Sequence, residues 1–158
     1  MKTRTLMVVL PALIALASCN GGSTSGSQDG QTGGQAQLQG QWRSGCILAV
    51  GNESFRKGIR FEGNRFTAAT YFYRDADCQK YEQDGESYSG TFSLSGESDV
   101  AGTFKIDFDG VDYADRAMRR YDLYRIEDGN LWFGNSPGDT ENARATELDT
   151  SIVFQKQY

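Results

Sequence analysis

Phe66-Thr67-Ala68-Ala69-Thr70-Tyr71-Phe72-Tyr73 decides the fold class. Phe66, Ala68, Thr70 and Phe72 fall on one side at a period of two, and Thr67, Ala69, Tyr71 and Tyr73 on the other. Successive side chains of a β-strand point to opposite faces, so this alternation predicts a strand. Tyr88, Gly90, Phe92 and Leu94 alternate in the same way with Ser89, Thr91 and Ser93. So do Gly102, Phe104, Ile106 and Phe108 with Thr103, Lys105 and Asp107. Glu62-Gly63-Asn64 and Asp128-Gly129-Asn130 stand between such runs and read as hairpin turns.

Working outward, the pattern predicts about eight strands, near 41–49, 54–62, 65–74, 86–94, 100–109, 119–127, 130–135 and 150–157. Mostly short connections favour antiparallel neighbours. A meander of this size removes its exposed edges by closing on itself. The expected fold is therefore all-β, an antiparallel up-and-down β-barrel. Ala114, Ala117, Met118 and Tyr121 have helical spacing after Asp112, which predicts one short helical turn near 114–118. Asn135 to Glu147 reads as a long polar loop, a class of segment that is often functional.

The N-terminus has a different character. Lys2 and Arg4 precede an apolar run from Leu6 to Ala17, broken only by Pro11. A membrane span needs about 20 apolar residues, so this run is too short and reads as a secretory signal peptide over residues 1–18. Asn20 to Gly40 is Gly, Ser, Gln and Thr with one charge, Asp29, and no aromatic residue. Such a composition cannot offset the entropy of ordering, which predicts a flexible linker over 19–40. Residues 41–158 hold every Trp, Tyr and Phe of the chain, one domain's worth of core.

Leu16-Ala17-Ser18-Cys19 resembles the lipobox of bacterial lipoproteins. The resemblance implies diacylglycerol on the Cys19 thiol, cleavage before it and acylation of the new amino group, which together make a lasting membrane anchor. Asn20 in place of Asp implies the outer membrane; in a Gram-positive host the anchor would sit in the outer face of the plasma membrane. With Cys19 set aside, Cys46 and Cys78 remain in an oxidising compartment, and a Cys46–Cys78 disulfide is expected. Losing Lys2 and Arg4 with the leader takes the formal charge from −5 to −7. So acidic a chain is a poor partner for nucleic acid.

Leu38-Gln39-Gly40-Gln41-Trp42 resembles the Gly-x-Trp opening of lipocalins and their calycin relatives, in which the tryptophan closes one end of an eight-stranded barrel. Val111-Asp112-Tyr113 is similar to that family's Thr-Asp-Tyr motif without the threonine, and Arg144 is the candidate for its closing arginine. The resemblance implies a lipocalin-like barrel over 38–158. Gly40 to Leu48 also resembles the opening of small periplasmic metalloprotease inhibitors, barrels with one disulfide. Lysozyme-inhibitor lipoproteins share a similar barrel, but their Ser/Gly-rich inhibitory loop has no counterpart in this sequence.

The chain has no histidine, and both domain cysteines are expected to be oxidised, so Ser–His and Cys–His catalysis is excluded. A carboxylate pair remains conceivable, but among 21 acids proximity carries no information. An enzyme, a cofactor and a metal site are therefore not expected. Asp107, Asp109, Asp112 and Asp115 form the densest acidic cluster, but Gly110 falls two positions too early for an EF-hand loop. Trp42, Phe66, Phe72, Phe92, Phe104 and Phe108 are the residues expected to fill the barrel or line a cavity in it; eight strands allow either. Tyr71, Tyr73 and Tyr124 are placed on the exposed face as a protein-docking surface. The expected function is a lipid-anchored, non-catalytic envelope module binding a small apolar ligand or a protein partner. An inhibitor of a hydrolase (protease or lysozyme) and an accessory subunit of an outer-membrane complex are the alternatives.

Overall fold

The computed structural model describes residues 29–158. Cys19 and the leader lie outside them. A helix, α1 (Asp29–Leu38), leads into strands β1 (Gly40–Ser44), β2 (Ile47–Leu48), β3 (Ser54–Glu62), β4 (Arg65–Tyr73), β5 (Tyr81–Glu97), β6 (Phe104–Asp112), β7 (Ala117–Glu127), β8 (Asn130–Phe133) and β9 (Phe154–Gln157). The sheet runs β1-β9-β8-β7-β6-β5-β4-β3-β2, and β1 pairs with β3 as well as β9, which closes it. β1 and β2 both lie along β3 and are two halves of one stave, interrupted at Gly45-Cys46. The result is the expected antiparallel eight-stave barrel with one extra short strand.

Three local expectations are corrected. The segment 114–118 is not helical. Asp112 Oδ1 accepts the N–H groups of Ala114 and Arg116 at 2.9 and 3.0 Å, which makes a tight turn, and the chain enters β7 at Ala117. An aspartate that bonds its own downstream backbone competes with helix formation. The one 3-10 turn among the described residues is Glu141–Ala143, in the long loop. β5 starts at Tyr81 rather than 86 and runs on to Glu97 through a register shift after Leu94.

The third correction falls in the expected linker, ten of whose residues, Asp29–Leu38, form α1. Its Gly/Gln-rich sequence is a poor helix former, so the helix is held from outside. Trp42 Nε1 donates to the Leu38 carbonyl at 2.6 Å. Lys156 Nζ donates to the Gln37 carbonyl at 3.4 Å, a cation where the helix dipole favours one. Gln39 Nε2 donates to the Gln35 carbonyl at 3.1 Å and to the Gly63 carbonyl at 3.0 Å, and its Oε1 accepts the Gly63 N–H at 2.8 Å. The carbonyls left without partners at a helix C-terminus thus find barrel side chains. Leu38 itself is fully buried.

Register decides what faces inward. Phe66 pairs with Gly90, Gly90 with Gly110, and Gly110 with Met118; one step along, Phe92, Phe108 and Arg120 align, and Ile106 aligns with Asp122. A Cβ on Gly90 would lie 2.1 Å from the Asp109 carbonyl oxygen, and one on Gly110 2.0 Å from that of Ser89. Only a glycine pair permits β5 and β6 to approach so closely. Toward the α1 pole the barrel is filled by Leu38, Trp42, Phe61, Phe92, Ile106, Tyr124 and Leu131, with Phe61 edge-on to Phe92 at 4.9 Å. Each fully buried large side chain here contributes about 1.5–3 kcal/mol. The Cys46–Cys78 disulfide is formed, Cα–Cα 5.8 Å, and ties the β1–β2 corner to the β4–β5 loop.

Candidate ligand-binding cavity

The half of the barrel away from α1 is not filled. A cavity of about 440 Å³ opens there. Its wall includes Ile59, Phe66, Phe108, Met118, Phe133, Ile152 and Phe154. Four rings run round it in contact: Phe66–Phe108 at 4.8 Å, Phe108–Phe133 at 6.2 Å and Phe133–Phe154 at 5.5 Å between centroids. Space opens there because the inward positions toward that end carry small residues, Ala68 and Thr70 on β4, and polar ones, Lys57 on β3 and Arg120 and Asp122 on β7. Asn135, Pro137 and Asp149 bring the long loop to its rim.

The six aromatic residues singled out from the sequence divide into three groups. Phe66 and Phe108 line the cavity. Trp42 and Phe92 are packed in the filled half. Phe72 and Phe104 do neither. The unbroken β3–β4 register keeps Phe72 on the face of Phe66, Ala68 and Thr70, but it lies beyond the cavity wall, half-buried against Phe55 at 6.2 Å. Phe104 begins its strand at the rim and is exposed, its ring against Tyr124 at 5.6 Å. The tyrosine surface is corrected as well. Tyr124 faces inward with the even-numbered residues of β7 and is 2 % exposed, and burial pushes its phenol up to about 12. Tyr73 is also buried; Tyr71 is half-buried beneath the Arg43 guanidinium, 5.5 Å from its ring centroid.

Trp42 closes the far end as the motif implied, but Arg144 does not cover it. Lys156 Nζ lies over the indole at 5.3 Å. Arg144 is on the outer face, where its Nη1 donates to the Ile106 and Asp122 carbonyls at 3.2 and 2.9 Å and pairs with Asp107 at 2.7 Å. It clamps the long loop to β6 and β7. The acidic cluster resolves into separate ion pairs: Asp107 with Arg144, Asp109 with Arg119, and Asp112 with Arg116. The Arg116 hydrogen bond holds the Asp112 carboxyl below its usual range. Among the described residues no group of three His, Cys, Asp or Glu converges to hold a metal ion. No helix among them is long and apolar enough to cross a membrane.

Among the cavity residues not singled out from sequence are Phe133, Phe154, Arg120 and Asp122. Asp122 is the most unusual. It is 5 % exposed. Its Oδ1 accepts the N–H of Leu123 at 2.7 Å and that of Gly134 at 2.9 Å. Burial pushes its carboxyl up to about 7, against the opposing pull of those two N–H groups and of Arg144 and Arg120. Arg120 stands at the mouth with its guanidinium 5.5 Å from the Tyr88 ring centroid, and Tyr88 donates its hydroxyl to Glu86 at 2.6 Å. The mouth is thus polar and mixed in sign, the wall aromatic, with one acid buried in it. That arrangement can hold an organic molecule and offers no nucleophile–base pair. No family model matches the chain, and no curated protein is detectably similar to it in sequence.

Proposed function

We propose that this chain is a lipid-anchored envelope binding module that holds a small, largely apolar ligand in the open half of its barrel. The observation that carries the reading is the cavity of about 440 Å³ with its ring of phenylalanines. Ligand sites typically enclose about 300–1,000 Å³, lined by apolar side chains with a few placed polar groups. The lipobox resemblance at Cys19 supplies the anchor. Native mass spectrometry of the chain extracted from its host membrane is the test: a bound organic molecule is expected, and a Phe108→Trp change that fills the cavity should remove it. Retention of the same molecule by that variant would refute the site. Cys19→Ala should abolish lipid labelling and membrane retention; a variant that stayed lipidated would refute the anchor.

Protein docking is the second reading, and one feature favours it. Leu48 at the end of β2 and Val50 in the β2–β3 loop, 68 % and 95 % exposed, project beside the disulfide. An exposed apolar pair on a stapled loop suits a hydrolase inhibitor or an assembly subunit. Changing both to Ser should then abolish partner capture without altering ligand retention.

A further inference from the structure

We propose that the cavity takes a hydrophobic amine, its ammonium group seated on Asp122 within the belt of phenylalanines. This rests on the cavity being a ligand site and names the chemistry it selects.

Asp122 uses one of its two carboxylate oxygens to brace the backbone. Its Oδ1 is satisfied by the Leu123 and Gly134 N–H groups, whereas its Oδ2 makes no hydrogen bond among the described residues. An asparagine carbonyl would serve the same brace. The carboxylate adds only a charge, in a wall where burial opposes that charge. The protein does not neutralise it by contact. Arg144 bonds the Asp122 main-chain carbonyl and gives its ion pair to Asp107. Arg120, on the same strand, stands over Tyr88. A cation arriving in the cavity would supply both the missing donor and the missing counter-charge.

The wall suits such a cation. Phe66, Phe108, Phe133 and Phe154 all line the cavity with Asp122. Aromatic faces carry negative charge density and attract ammonium groups, most strongly when water is excluded. An anionic head would meet the reverse: a buried carboxylate and the faces of rings. Lys57 and Arg120 at the mouth offer it little, because both are solvent-exposed and Glu86 and Asp149 share the rim. Charges so placed are screened, while the buried acid is not. The volume suits a body of one or two rings.

Isothermal titration calorimetry of the full chain in dodecyl maltoside, at pH 8, compares three probes of one shape: tryptamine, 3-ethylindole and indole-3-propionate. Tryptamine should bind at least about tenfold more tightly than either of the others. Asp122→Asn should reduce it to the level of 3-ethylindole. In the unaltered chain, tryptamine affinity should fall at least about tenfold from pH 8 to pH 5 as the Asp122 charge is lost; this arm needs no variant to fold. Equal or tighter binding of 3-ethylindole or indole-3-propionate would overturn the amine inference and leave the cavity a ligand site. An unchanged tryptamine affinity in a folded Asp122→Asn protein would overturn it likewise. Failure of all three probes to bind would overturn the cavity reading itself.

Discussion

The indole N–H of Trp42 bonds the carbonyl of Leu38, four residues earlier, at 2.6 Å inside the barrel's closed end. One side chain therefore both plugs the pole and terminates the helix that precedes the barrel. Trp42→Phe keeps a ring in the plug but leaves a buried carbonyl without a donor. The expected cost is about 1–3 kcal/mol. Amides of Gln35 to Gln39 should exchange with solvent markedly faster. Unaltered exchange there would show that α1 is held by other contacts.

Asp122 makes stability depend on pH, with a sign opposite to that of most carboxylates. Its folded pKa, about 7, lies above the unfolded value of about 4, so between these the folded state binds the extra proton. Stability from this group is full below about pH 4, declines as pH rises to about 7, and is flat beyond; the limiting loss is about 4 kcal/mol. Urea midpoints measured from pH 4 to pH 8 should fall along this course. Asp122→Asn keeps the brace to Gly134 and should remove the decline. A variant with the parent's slope would assign the titration to another group.

The strands were legible because alternation follows from the backbone: the predicted 54–62 appears as Ser54–Glu62, and 65–74 as Arg65–Tyr73. The cavity was less legible. Leu123 and Tyr124 are neighbours on opposite faces of β7, yet both are buried, at 1 % and 2 % exposure. The long loop, clamped by Arg144, covers the outer face, so alternation alone does not say which side of β7 is core. Asp122 shares the inner face with Tyr124, and a period-two reading that turns Tyr124 outward loses the acid with it. α1 was illegible for a different reason: its order comes from Trp42, Lys156 and Gly63, all distant or downstream in sequence.

Gly110 is a sharper test of the barrel's curl than any core residue. An added methyl there would lie 2.0 Å from the Ser89 carbonyl oxygen and 2.8 Å from the Gly90 Cα, both backbone atoms that cannot step aside alone. Gly110→Ala should lower stability by roughly 1–3 kcal/mol. Gly129→Ala, where nothing lies within 4 Å, controls for crowding, and its cost arises only from its positive φ of 77°. Equal costs at both sites would refute the close-approach argument.

The disulfide encloses a sequence separation of 32 residues. In the chain-entropy account its removal destabilises by roughly 3–4 kcal/mol. Denaturant midpoints of the Cys46→Ser/Cys78→Ser protein and of the reduced parent should agree with one another and lie below that of the oxidised parent. A midpoint unaffected by reduction would show that the β4–β5 loop is held by other contacts.

β9 sits between β1 and β8, and it is made about 110 residues after β1. During synthesis β1 must therefore wait, with one edge unsatisfied, until nearly the whole domain has been made. High contact order slows folding, and open edges invite pairing between chains. A polypeptide halted before Phe154 would carry two free edges, those of β1 and β8, and so be open to pairing with other chains. The last strand is a completeness check: only a chain made through β9 can become an edgeless barrel.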